Sequence, residues 1–490
     1  MKLFVLLFVL SASLFATEMP SSLSSTQANY DGNTLVLTGH VVLDHGLGKM
    51  RAEEAHLQRQ EPGKEFPFSF IQLKKEVLLS MQLNSQISCG SADLDFTTLK
   101  GVFLPEEGSF VVYKDLIQKK RGGESTPFQL QSQRLELNFS KSLKEDKKTE
   151  YEVDTILAKE GVVIDYLESF QCLAHEALYR KEATAEMKNS RKEFQGIITA
   201  YPKDALSPCQ LTHEQDEIFA DMIDLDLLHS KISLLHPRGN LMTTIATSSS
   251  PMRFKSEYLY WDQNKHCLTL KGNITLEDPS LGYLETQEEL LIHHTLIKGK
   301  STFKNLITQG LSTLTYTDPL QHTHKLVTHG PIHLDREKLK ATIESPKAEG
   351  IVREEKQISY QEDTFLVFAD TASIDYSLVE GHLEPSLITL QGNVRLSSCD
   401  PQKSPRYSCT DRLSYSVTTR TFILSANPGK KVLFWDESQG MHLSAPEVHI
   451  THDPVSHEQH IKGIGAVQFG FTPEEQHTLH RLFPQLKKSL

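Results

Sequence analysis

Residues 30–57 read YDGNTLVLTGHVVLDHGLGKMRAEEAHL, and their period decides the fold. Leu35, Leu37, Gly39, Val41 and Leu43 stand at every second position. The figure recurs as Leu268, Leu270, Gly272, Ile274 and Leu276, and as Ile388, Leu390, Gly392, Val394 and Leu396. Period two puts each set on one face of a strand. The central glycine has no side chain to pack, so it marks a bend, a bulge or a close approach to the backbone. Looser copies centre on Gly330 and on Gly463 with Gly465, and weaker ones on Gly101 and Gly161. The intervals 39–101, 101–161, 272–330 and 330–392 are 62, 60, 58 and 62 residues.

A second pattern runs in register with the first: a small residue, then apolar residues three and five positions on. It reads Ala52, Ala55, Leu57; Cys89, Ala92, Leu94; Ser132, Leu135, Leu137; Ser256, Leu259, Trp261; Ala369, Ala372, Ile374; and Ala445, Val448, Ile450, among others. One such match is within chance. A series in register predicts one supersecondary unit copied many times, each burying its apolar face on its neighbours.

The flanks read differently. Lys2, the apolar run Leu3–Leu10 and the small residues up to Ala16 read as a secretory signal peptide over 1–16, with no cysteine nearby to accept a lipid anchor. Residues 201–251, with an acidic helix-like stretch His213–Leu228 and a Thr/Ser-rich end, read as a partly helical linker between β blocks at 17–200 and 252–470. Thr472, Pro473 and Glu475 make a capping-box start, so 471–490 is expected to hold a short helix covering the open end of the last sheet.

With 51 Lys+Arg against 63 Asp+Glu and a net charge of −12, the chain lacks the basic face that nucleic acid requires. Lys298, Gly299, Lys300 and Ser301 imitate the end of a phosphate-binding loop, but His294 stands where its leading glycine belongs. His175 and Glu176 begin a zinc-protease string that Tyr179 breaks. The paired histidines, His293 with His294 and His322 with His324, and the group His449, His452, His457 and His460 have no completing ligand at known spacing, and read as solvated residues. No catalytic residue, metal site or cofactor is expected. Of the six cysteines, Cys399 and Cys409 are close enough to staple a hairpin, and separate buried thiols are the equal alternative.

Residues 30–57, Leu268–Leu291 and Leu387–Ile450, which includes FILSANPGKKVLFWDESQGMHLSAPEVHI, resemble repeats of the OstA-like family, the periplasmic lipopolysaccharide-transport proteins of the LptA type and the N-terminal domain of LptD. The resemblance implies an all-β fold of twisted antiparallel β-jellyroll or solenoid repeats. It also implies a periplasmic site, open to outer-membrane association, and a groove for the acyl chains of lipid A. Implied partners are lipopolysaccharide and the other transport proteins of the inner and outer membranes. Candidate groove residues are Leu35, Leu37, Val41, Leu43, Leu268, Leu270, Ile274, Leu276, Leu390, Val394 and Leu396, for which plain sandwich core is the competing reading. The chain departs from the family in its length and in ending on LHRLFPQLKKSL rather than on barrel strands. Two other classes stay open: a non-catalytic β-solenoid scaffold binding envelope proteins through sheet edges, and a glycan-acting enzyme, which needs convergent carboxylates.

Overall fold

A computed structural model describes residues 22–59, 68–81, 85–117, 126–143, 149–166, 169–180, 196–227, 229–241, 251–278, 282–297, 300–318, 321–362, 365–379, 382–398, 405–437, 439–452 and 459–483. The signal-peptide reading at 1–16, Lys298 with Gly299, Cys399 and His457 lie outside them. The chain is all-β and every strand pairing is antiparallel, with one α-helix, Pro473–Leu482, and one 3-10 turn, Glu354–Lys356, among the described residues. It divides into two compact units between Leu235 and His236.

Each unit holds two ladders, and the chain passes between them through bent strands. In the first unit, Thr34–His45 pairs in its first half with Gln27–Tyr30 and in its second half with Ser22–Ser24. Gly48–Arg59 and Phe68–Met81 follow the same bend. Gln86–Asp95 then parts company with its partners, giving one half to Lys100–Leu104 and the other to Val111–Ile117. In the second unit hairpins alternate between ladders. Tyr258–Asp262 with Cys267–Lys271, Glu289–Ile297 with Lys300–Gln309, and Ile332–Asp335 with Lys340–Glu344 belong to one, here ladder C. Ile274–Asp278 with Gly282–Thr286, Ser312–Thr317 with Thr323–Thr328, and Ile358–Glu362 with Phe365–Ala369 belong to the other, ladder D. His382–Ser398 and Arg406–Ser416 run through both.

The corner is a main-chain device. Gly272 (φ +70°) and Asn273 (φ +41°) are both left-handed, as are Gly392 (φ +79°) and Asn393 (φ +46°). Two such residues turn the strand while four positions still separate Leu270 from Ile274 and Leu390 from Val394. All four therefore stay inward and buried. The turn's carbonyls need donors. Glu257 N–H donates to Lys271 O at 3.1 Å and Gly272 O at 3.0 Å, and Asp370 N–H to Gln391 O at 3.1 Å and Gly392 O at 3.0 Å. The same acids accept the asparagine amides, Asn273 to Glu257 at 2.6 Å and Asn393 to Asp370 at 2.7 Å. The small residues of the second pattern sit at equivalent turns. Ser132 Oγ donates to Arg134 O at 2.9 Å and Ser256 Oγ to Tyr258 O at 3.0 Å, and both are buried where a large side chain has no room.

Gly101 marks a close approach rather than a bend: it lies within Lys100–Leu104, against the Leu94 and Phe103 side chains. Two expectations change. His213–Leu228 is not helical but runs through the strands Cys209–His213, Asp216–Ala220 and Met222–Asp226. Its buried residues are Ile218 with Ala220 and Ile223 with Leu225 and Leu227, a strand period that the acidic composition masked. The unit division falls inside the expected 201–251 linker. Finally, the capping box is present, with Thr472 Oγ1 accepting from Glu475 N–H at 3.3 Å and Glu475 Oε2 from Thr472 N–H at 2.8 Å. The helix does not close the end of a sheet, however. It packs Leu479 and Phe483 on the outward residues Tyr407, Cys409, Leu433 and Trp435, while Phe469 at the terminal strand stays 74 % exposed. Apolar residues on the outer face of ladder D require that cover.

A Cβ at Gly272 would collide with the Glu257 carboxylate in a backbone conformation that L-residues avoid. Gly272→Val should lower stability by about 2–4 kcal/mol in denaturant unfolding. Gly429→Val, at φ +84° but in open space, should lose only about 1–2 kcal/mol.

Candidate functional site

The interior between the ladders is where the sequence places a site. Ten of the eleven candidate residues, all but Leu35, are at most 2 % exposed. Leu35 is half-buried. They do not form one site. Leu35, Leu37, Val41 and Leu43 line the first unit, and the other seven line the second, on both arms of the Gly272 and Gly392 corners. Their neighbours are apolar: Leu270 lies opposite Leu259 on one strand and Leu290 on the other. These positions are filled by side chains, as in a sandwich core, rather than standing around an open groove.

The ladders meet again on the side away from the corners. In the first unit that mouth is shut by rings. His45 lies 4.3 Å from Phe96 and stacks on Tyr151 at 5.1 Å, and Phe139 packs edge-on against Tyr151 at 5.8 Å. Leu47 N–H donates to His45 Nδ1 at 3.1 Å, so the imidazole is an acceptor and neutral. Burial pushes its pKa down to about 4, with the Asp44 charge a smaller opposing effect.

In the second unit the mouth holds a cavity of about 30 Å³, the size of a water site. Ladder D contributes Leu314, Tyr316, His324 and Tyr360; ladder C contributes Ile374 and Tyr376. His324, expected to be solvated, is 6 % exposed and shares a hydrogen bond of 2.9 Å with Tyr360 Oη. Its Nε2 is 3.6 Å from Asp318, itself 5 % exposed. Burial raises the Tyr360 and Tyr376 hydroxyls well out of the neutral range, so both remain protonated donors. Over this cavity polar contacts tie the two ladders, Tyr415 to Glu362 among them. Arg420, in the turn after Arg406–Ser416, donates through Nη2 to His322 Nδ1 at 2.8 Å, and His322 lies 3.4 Å from Asp318. The sequence held the signal for His324, which shares the period-two face of Leu326 and Thr328. The pairing of His322 with a residue 98 positions away had none.

Among the described residues no group of three His, Cys, Asp or Glu side chains converges to hold a metal ion. Cys89, Cys172, Cys209, Cys267 and Cys409 are free thiols. Burial pushes Cys89, Cys209 and Cys409 up to about 12, which keeps them protonated near neutrality. Cys409 sits opposite Arg395, and its suggested partner Cys399 lies outside the described residues.

No protein-family model and no curated protein matches this chain.

His45 carries a pH signature. Its folded pKa lies below the unfolded value of about 6.5, so its contribution is complete above pH 6.5, falls as pH drops towards about 4, and is flat below. The loss is at most on the order of 3 kcal/mol. Thermal unfolding from pH 7 to 4 should show a shallower decline for His45→Phe than for the parent chain.

Proposed function

We propose that the chain is a periplasmic lipid-binding protein that helps carry lipopolysaccharide to the outer membrane, taking acyl chains between its facing ladders. The observation that supports this reading is the continuity of the apolar inner face. The bent strands Thr34–His45 and His382–Ser398 carry inward Leu, Val and Ile on both arms of the corner, so each unit encloses an apolar layer. At a net charge of −12 the protein gains little from lipid phosphates overall. The chains are held by burial, at about 0.8 kcal/mol per CH2. Because the interior is filled, binding requires the ladders to part at the mouth, where the second unit has its cavity and a polar tie from Arg420 to His322. Partners in this reading are lipid A and the other lipopolysaccharide-transport proteins of the two membranes.

A second reading is favoured by the free sheet edges. Gln27–Tyr30 and Gln459–Ile464 each pair on one side only among the described residues, and Tyr30 and Phe469 are exposed beside such edges. A non-catalytic scaffold adding strands from envelope proteins would use them.

A photoreactive residue at buried Leu270 and, separately, at exposed Lys271 separates the two in cells making lipopolysaccharide. Lipid adducts at 270 and none at 271 are expected. Protein adducts at the edges with no lipid at 270 would overturn lipid carriage in favour of the scaffold.

A further inference from the structure

The outer face of ladder D carries a second feature, independent of the interior. A cleft of about 380 Å³ opens between the helix Pro473–Leu482, the strands around Arg395 and Thr410, and the turn at 426–431. Four cations line it, Arg395, Lys430, Lys431 and Arg481, against two carboxylates, Glu354 and Asp411. On a chain whose net charge is −12 this is a local reversal of sign. The volume falls in the range of small-molecule sites.

Three of the four cations have anchoring contacts. Arg395 is 13 % exposed; its Nη2 donates to Gln357 Oε1 at 2.7 Å, and its guanidinium lies over the Phe368 ring at 5.2 Å. Its ion pair with Glu354, 3.4 Å, is to a largely exposed carboxylate and is weak. Asp411 accepts from Lys430 Nζ at 2.9 Å and from Asn427 N–H at 2.8 Å, which fixes the turn. Lys431 donates to Gln468 Oε1 at 3.1 Å and lies 4.0 Å from Glu475. Arg481, in the last helical turn, and Thr478 line the cleft from the helix, and Leu433 with Leu482 gives it an apolar part.

We infer that this cleft binds a phosphate ester, the phosphate between Arg395, Lys431 and Arg481 and the organic part on Leu433 and Leu482. Guanidinium groups match phosphate oxygens in pairs, and a lysine adds a mobile point charge. The phosphate can come from a lipid headgroup or from a soluble ester. The inference does not rest on lipid carriage by the interior.

Calorimetric titration of the full chain with glycerol phosphate and with dihexanoyl phosphatidic acid tests it, beside the surface variant Lys431→Gln/Arg481→Gln, which leaves half-buried Arg395 in place. Saturable binding of at least one ligand is expected, weakened tenfold or more in the variant at unchanged melting temperature. Binding of both with similar affinity assigns a soluble ester, and binding of the lipid alone assigns a headgroup. No saturable binding of either, or equal binding by the variant, would overturn the inference.

Discussion

The backbone hydrogen bond from Glu257 N–H to Lys271 O and Gly272 O, repeated by Asp370 at Gly392, governs the rest of the architecture. A strand that bends by two left-handed residues leaves carbonyls pointing off the ladder, and an unpaired buried carbonyl costs about 1–3 kcal/mol. The acidic residue that satisfies them also takes the asparagine amide, so one side chain and its own N–H hold the whole turn. Because the bend preserves the even spacing of inward residues, a strand can leave one ladder and enter the other with its apolar face still turned inward. Two facing sheets with one continuous interior follow from that local geometry.

Much of this was legible in the sequence. Leu–x–Leu–x–Gly–x–Val/Ile–x–Leu carries both the strand period and the corner, and the small residue of the second pattern marks the partner turn. The acidic stretch at 213–228 misled because its carboxylates suggest a helix, whereas the burial of Ile218, Ala220, Ile223 and Leu225 follows period two. The run Val432–Asp436, buried at every position, signals a strand covered on both faces. That signal locates the seat of the C-terminal helix on the outer face, which the capping box alone does not. The mouth was not legible. His322 and Arg420 meet because hairpins of opposite ladders end at the same side of the unit, a consequence of register and not of local pattern.

The two regions of functional interest differ in kind. The interior is apolar and filled, and any use of it demands that packed sheets separate, at a cost the incoming chains must offset. The cleft beneath the helix is polar, preformed and open, with a half-buried arginine braced by Gln357 and Phe368. The mouth of the second unit holds Arg420, His322, Asp318 and the buried ring of His324, polar groups that any opening proposed for it would have to disturb.

Pulsed electron spin resonance between labels at exposed Thr323 and Thr418, on the two sides of the second unit's mouth, tests whether the facing ladders part to take acyl chains. A short distance in the free protein that lengthens when lipopolysaccharide is added, and does not change with a delipidated polysaccharide, is expected. A distance unchanged by saturating lipopolysaccharide would rule out such an opening.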